Sequence, residues 1–242
     1  MLKDVDSAIL HRLLDLQEED TAIRRLVHRK ETLPEAQRLA EITENLRELE
    51  SDLEIATKQH DEVAREQDRV EGEMEILDNK IAKEEQRLFS GAVSNPKELS
   101  ALQAEIEMLK RQKSGFEDSL LEIMVQRDQA SETLERLRSE HSQLQQQVDR
   151  LRSTVSETTS EIDTELSAHQ RAREEIAPTI PDALLSLYDQ LREQKGGVGA
   201  AALVEGTCQG CHTTLPAVEV ERVRNEGGVQ RCDNCRRILV VA

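Results

Sequence analysis

The chain has 242 residues, 33% of them charged, a net charge of −17 and only three aromatic side chains, Phe89, Phe116 and Tyr188. Such a composition cannot fill a large globular core, and the acidic excess repels nucleic acid and anionic lipid along most of the chain. No run approaches the ~18 apolar residues that cross a bilayer, and Met1-Leu2-Lys3-Asp4-Val5-Asp6 lacks the apolar stretch of a signal peptide, so a cytoplasmic protein without membrane contact is expected.

Leu2, Val5, Ile9, Leu13, Leu16, Ile23 and Val27 fall on one face of a first helix. Pro34 removes an amide donor and clashes with the preceding turn, which predicts a break near 33–34. From Leu39 the apolar positions step by three and four. One set runs Leu39, Leu46, Leu53, His60, Gln67, Met74, Ile81, Leu88, and the interleaved set runs Ile42, Leu49, Ala56, Val63, Val70, Leu77, Glu84. A stripe this persistent is what a left-handed coiled coil requires.

Residues 89–97 read as a reverse turn. Gly91 suits the left-handed conformation that ends a helix, Asn95 suits the N-cap of the next one, Pro96 its first position, and Glu98 a capping box. The stripe then resumes through Leu99, Ile106, Lys113, Leu120, Arg127, Leu134, His141, Val148, Val155 and Ile162, with Leu102, Leu109, Phe116, Ile123, Ala130, Leu137, Leu144 and Leu151 interleaved. In an antiparallel pair the numbers of facing residues have a constant sum. Leu88 with Leu102, Ile81 with Leu109 and Leu53 with Leu137 all give 190, and a slip of one heptad to 183 fits the phase equally well. The returning helix should run from Pro96 to Ala177, where Pro178 and Pro181 stop it, on the order of 120 Å at 1.5 Å per residue. The polar seam residues His60, Gln67, Glu84, Lys113, Arg127 and His141 read as register control rather than as a metal or proton site, because no two of the histidines share a turn with a carboxylate in ligand spacing.

After the prolines, residues 181–191 read as a short helix and Gly196-Gly197-Val198-Gly199 as a hinge. The apolar runs 200–204 and 238–241 read as strands, with a helical turn starting at Pro216. All four cysteines lie here, as Cys208-Gln209-Gly210-Cys211 and Cys232-Asp233-Asn234-Cys235. Two C-x2-C knuckles complete a sulfur tetrahedron, the donor set of one structural Zn2+; disulfides and iron are the rivals. Gly210 and Asn234, third in each knuckle, are residue types that tolerate unusual backbone angles, and His212 is expected on the surface. A closed four-thiolate shell leaves no position for a substrate, which speaks against catalysis and against a small-molecule substrate.

The turn Leu88-Phe89-Ser90-Gly91, Asn95-Pro96-Lys97-Glu98-Leu99, Leu102-Gln103, Glu105-Ile106 resembles the signature of a bacterial family of C4-type zinc-ribbon proteins with a long coiled-coil hairpin. So does the tail Gly206, Cys208, Gly210-Cys211, Leu215-Pro216, Cys232, Cys235, Arg237-Ile238-Leu239. The family was once catalogued as a domain of unknown function, and the resemblance spans essentially the whole chain. It implies a mainly α protein, a kinked antiparallel coiled-coil hairpin with a small C-terminal β zinc ribbon and no enzymatic activity. Members in flagellated or type III-secreting bacteria are linked to an alternative sigma factor, secretion components and messenger RNA. Arg236 stands where such knuckles often carry glycine.

The expected organisation is a hairpin over residues 1–177, a short helix and hinge over 178–197 and the ribbon over 198–242. The expected function is a non-catalytic zinc-binding adaptor that docks a protein partner. The alternative is nucleic-acid binding through Arg222, Arg224, Arg231, Arg236 and Arg237 of the ribbon with Arg24, Arg25, Arg29 and Lys30 of the first helix, near Arg171 and Arg173. Against it, the ribbon has no aromatic residue for base stacking.

Overall fold

A computed structural model describes residues 5–241. Helix α1 spans Ser7–Glu31, α2 Pro34–Phe89, α3 Pro96–Ile176 and α4 Asp182–Gln194, with one 3-10 turn over Ala177–Thr179. Strands β1 (Ala200–Val204) and β2 (Thr207–Cys208), helix α5 (Ala217–Asn225) and strands β3 (Gln230–Arg231) and β4 (Ile238–Val241) complete the order. The chain is therefore mainly helical, with a long hairpin and a small terminal sheet. It divides into two compact units, residues 39–150 and residues 1–38 with 151–242.

In the first unit α2 and α3 pair antiparallel. Leu49, Ala56, Leu134 and Leu137 form one buried cluster and Leu77, Ile81 and Leu109 another, with Phe116 packed against it. Ala56 shares one cluster with Leu134 and Ile81 shares the other with Leu109, as the pair sum of 190 requires, and the contacts of Lys113 with Asp78 and His141 with Glu50, which sum to 191, exclude the slip to 183. Polar seam residues meet across the same register. Lys113 Nζ lies 2.6 Å from Asp78, Arg127 donates to Gln67 at 2.9 Å, and His141 Nε2 stands 3.6 Å from Glu50. Every seam position is buried or half-buried except Arg127, whose long side chain reaches out to its partner. The turn forms as its residues dictate: Gly91 has φ +74°, Asn95 Oδ1 accepts from the Lys97 amide at 3.0 Å, and Pro96 opens α3. The expected capping box is half made, since among the described residues Glu98 does not bond back to Asn95.

In the second unit the break falls where proline requires it. α1 ends at Thr32, whose hydroxyl donates to the His28 carbonyl, and Leu33 is buried with Leu26 and Ile162. The first stripe is corrected at one place: Val27 is exposed and Leu26 takes the core position. Leu2 lies outside the described residues. Leu13 and Leu16 pack with Ile180, Leu184, Tyr188 and Leu191, and with Ala200, Ile238 and Val240 of the sheet. The sheet order is β2-β1-β4-β3, and β1 and β4 run parallel with Ala200 opposite Ile238. Ala201, Leu203 and Leu239 point the other way, toward Cys208, Cys232, Leu215 and Val223. The ribbon thus docks directly on α1 and α4.

That junction holds a polar network the apolar pattern does not announce. Asp20 of α1 has 2% of its side chain exposed, accepts from Tyr188 at 2.8 Å, and receives Arg173 of α3 at 2.8 Å and Arg192 of α4 at 2.7 Å. Gln17, one residue short of a turn earlier, accepts from the Gly199 amide at 2.7 Å and donates to the Gly197 carbonyl at 3.1 Å, fixing the hinge. Burial and the hydrogen bond to Asp20 push the Tyr188 phenol well above its ordinary value.

Two outcomes follow from this network. Asp20→Ala leaves two partly buried guanidinium groups without their anion, so it should cost about 3 kcal/mol or more, whereas Lys58→Ala, which breaks an exposed pair with Glu54, should cost under ~0.5 kcal/mol. Tyr188 is the only tyrosine in a chain without tryptophan, so its fluorescence during urea unfolding reads this junction directly. With its folded-state pKa raised, Tyr188 contributes full stability below pH ~10, where the unfolded phenol ionises. Stability should then decline above that pH. An alkaline titration should show tyrosinate absorbance only together with loss of structure.

Candidate metal centre

Each cysteine pair occupies a loop built to one plan. In the first, the His212 amide donates to the Cys208 carbonyl at 2.7 Å and the Cys208 amide to the Thr213 carbonyl at 3.1 Å. In the second, the Arg236 amide donates to the Cys232 carbonyl at 2.8 Å and the Cys232 amide to the Arg237 carbonyl at 2.9 Å. The leading sulfur of each loop also accepts backbone amides, Cys208 from Gly210 and Cys211, Cys232 from Asn234 and Cys235. Amides aimed at a sulfur are what a thiolate needs when water is excluded.

The sulfur atoms all lie within 4.8 Å of one another, and Cys208–Cys235 and Cys211–Cys232 are separated by 3.9 Å. A disulfide needs ~2.05 Å, so these are free thiols. Four sulfurs at ~2.3 Å from one ion in a tetrahedron stand about 3.8 Å apart, so the donor set fits Zn2+ without rearrangement. Cys208 and Cys232 are fully buried. Burial pushes the Cys208 thiol up to about 12 and raises Cys232 as well. At Cys211 the opposing effect of burial is outweighed by hydrogen bonds from Thr213 and Asn234, which bring it down to about 6. The buried Cys208 and Cys232 resist shedding their protons until a cation compensates the charge, whereas Cys211 is poised as a thiolate.

The left-handed backbone sits two residues beyond where the residue types suggested. His212 and Arg236, just after the second cysteine of each loop, have φ of +57° and +66°, whereas Gly210 and Asn234 do not lie in the left-handed region. Gly210 is required for another reason: a Cβ there would fall 2.8 Å from Arg237 Cδ and 2.9 Å from Ala201 Cβ. His212 is exposed and stands apart from the sulfur cluster.

Of the nine basic residues singled out for nucleic-acid contact, several are engaged within the protein. Arg237 donates to the carbonyls of Val198, Gly210 and Lys195 at 2.8–2.9 Å, pinning the first loop to the hinge. Arg222 is held by Glu219 and Gln230, and Arg236 lies 3.7 Å from Asp233. Arg231 donates to the Arg236 carbonyl, and Lys30 pairs with Asp163 at 2.6 Å. The Arg24 guanidinium covers Gly197, where a Cβ would overlap it. Arg25, Arg29 and Arg224 are exposed; Arg171 is exposed beside a shallow groove, and Arg173 belongs to the Asp20 network. Asp20 had a signal in the sequence, a carboxylate at the apolar phase between Leu16 and Ile23. Arg237 had none, because its three acceptors are main-chain carbonyls.

Fold and site together define a coiled-coil hairpin protein carrying a four-cysteine zinc ribbon. The chain belongs to the CT398-like coiled coil hairpin family, whose domain matches residues 16–196, and residues 207–239 match the C4-type zinc ribbon domain. Rv2229c of Mycobacterium tuberculosis, itself uncharacterized, is 27% identical over 234 residues, 94% of this chain and 93% of its own. A solved structure from Mycobacterium smegmatis superposes with a TM-score of 0.81 at 24% identity, over 98% of this chain and 99% of that one. CT398 from Chlamydia trachomatis superposes at 0.66 with 21% identity, over 97% and 98%. These likenesses indicate no catalytic family, and no helix among the described residues is long and apolar enough to cross a membrane.

The purified chain should carry one zinc per molecule by elemental analysis. Cys208→Ser or Cys232→Ser should abolish binding and unfold the ribbon, since metal supplies roughly 10 kcal/mol or more to such a module. Zinc affinity should fall as pH falls, because the ligands must be thiolates.

Proposed function

We propose that the protein is a non-catalytic adaptor in which the coil and the ribbon present surfaces to a protein partner. The observation that carries this reading is the donor set. Four sulfurs fill a tetrahedral shell, so the metal serves the fold and offers no open position for a substrate or an activated water. The grooves along the coil are shallow and open, such as the one bordered by Ala56, Val63, Ala130 and Thr133, and suit side chains of a partner better than a small molecule. A nucleic-acid partner is the alternative. It is disfavoured because Arg237, Arg222 and Lys30 already spend their donors on carbonyls and carboxylates, and because the net charge is −17.

Affinity purification of the full chain from its native cell, with and without nuclease, tests the reading. A protein partner that persists after nuclease treatment is the expected result. Recovery of nucleic acid alone, lost at high salt or with Arg25, Arg29 and Arg224 changed to Ala, would replace this reading with the alternative.

A further inference from the structure

The two cysteine loops share their hydrogen-bond plan, so residues of the first have counterparts in the second: Cys208 and Cys232, Gly210 and Asn234, Cys211 and Cys235, Thr213 and Arg237. The sulfur separations keep the same symmetry, 3.9 Å for Cys208–Cys235 and 3.9 Å for Cys211–Cys232. Side-chain donors break it. The Asn234 side chain crosses from the second loop to the first, donating to the Cys211 sulfur at 3.6 Å and to the Thr213 hydroxyl at 2.9 Å. Asparagine is not needed there for its backbone, because Asn234 lies outside the left-handed region. Its side-chain amide is what the position uses.

Cys235 has no such support. The counterpart of Asn234 is Gly210, where even a Cβ would meet Arg237 Cδ at 2.8 Å and Ala201 Cβ at 2.9 Å. The counterpart of Thr213 is Arg237, whose guanidinium donates to the carbonyls of Val198, Gly210 and Lys195 instead. Among the described residues, then, the Cys235 sulfur meets no side-chain hydrogen-bond partner except Cys208. Access does not separate the two outer cysteines, since Cys211 and Cys235 are both half-buried while Cys208 and Cys232 are buried. Hydrogen bonding does. A donor aimed at a thiolate stabilises its charge and occupies a lone pair that an attacking carbon would need.

We propose that Asn234 is a positioning residue of the metal centre, bracing Cys211 across the two loops, and that the unbraced Cys235 is the ligand that soft electrophiles modify first. With N-ethylmaleimide as the electrophile, the Cys235 sulfur adds across the carbon–carbon double bond and one carbon–sulfur bond forms. The adjacent carbon takes a proton from water, hydroxide remains, and no group departs. The thioether so formed can no longer act as a thiolate ligand, so modification of this one residue opens the four-sulfur shell.

The test treats the full zinc-loaded chain with substoichiometric N-ethylmaleimide and maps the adducts by mass spectrometry. In the unmodified sequence Cys235 should react about fivefold or more faster than Cys211. Asn234→Ala should bring the two within about twofold of each other, and should weaken zinc affinity about tenfold in competition with a chelator. Asn234→Asp keeps the size of the side chain but replaces its donor with a carboxylate oxygen. It should lose at least as much affinity as Asn234→Ala, whereas a role in backbone or packing alone would leave it unchanged. Gln209→Ala, in the first loop but with an exposed side chain that bonds to no sulfur among the described residues, should alter neither reading. Equal rates at Cys211 and Cys235 in the unmodified chain, first attack at any other cysteine, or an Asn234→Asp chain that holds zinc as tightly as the unmodified one each overturns the proposal. The first two outcomes need no variant, so they decide even where Asn234→Ala fails to fold.

Discussion

The β1–β4 pair is buried on both faces, and that constraint organises the ribbon and its seat together. A module of some forty residues cannot assemble a core from its own side chains. Here Ala200, Ile238 and Val240 face α1 and α4, while Ala201, Leu203 and Leu239 face the cysteine loops. One face is closed by α1 and α4 and the other by the cysteine loops, Leu215 and Val223 of α5. This is why Ile238-Leu239-Val240-Val241 reads as an unbroken apolar run rather than an alternating one: no side of that strand meets water. It also means that the zinc holds more than the two loops, since the strand it steadies is the one that seats the ribbon on the helices.

The hairpin solves a different problem. Heptads alone allow neighbouring registers, because shifting by seven residues restores every apolar contact. Arg127 opposite Gln67 and His141 opposite Glu50 have no equivalent partners after a slip to the pair sum of 183, which would set them against His60 and Thr43, whereas Lys113 would exchange Asp78 for Glu71. These exposed pairs add little stability. The weight of the Arg127 and His141 contacts lies in the penalty on wrong alignments, where both side chains would lose their partners.

Much of this was legible because it depends on local rules. Heptad spacing, Gly91, Asn95-Pro96 and the break at Pro34 each act within a few residues, and the two C-x2-C loops declare a donor set by composition alone. The register was legible only to within a heptad, since periodicity carries phase and not origin. What escaped depends on contacts made over long sequence distances. Gln17 binds Gly199, Asp20 binds Tyr188 and Arg192, and Arg237 binds Lys195 and Gly210. The positive φ at His212 escaped because the loop hydrogen bonds impose it, while that at Arg236 was signalled only by the glycine that related knuckles often carry there.

The Asp20 cluster illustrates why a polar group is kept where an apolar one would pack. Placing an ionised carboxylate in a site with 2% exposure incurs a desolvation cost that its partners largely offset, so a buried network of this kind is weak evidence for added stability. Apolar side chains would let α1, α3 and α4 slide or rotate over one another with small losses. A carboxylate that must accept from a phenol and two guanidinium groups at 2.7–2.8 Å admits one arrangement of those three helices. Because Gln17, on the same face of α1, reads the hinge carbonyl of Gly197 and the amide of Gly199, that arrangement also sets where the first strand of the ribbon begins. Two polar residues three apart on α1 therefore transmit the helix packing to the metal-bearing sheet, and the orientation of the ribbon on its helices follows from hydrogen-bond geometry more than from the area buried beneath it.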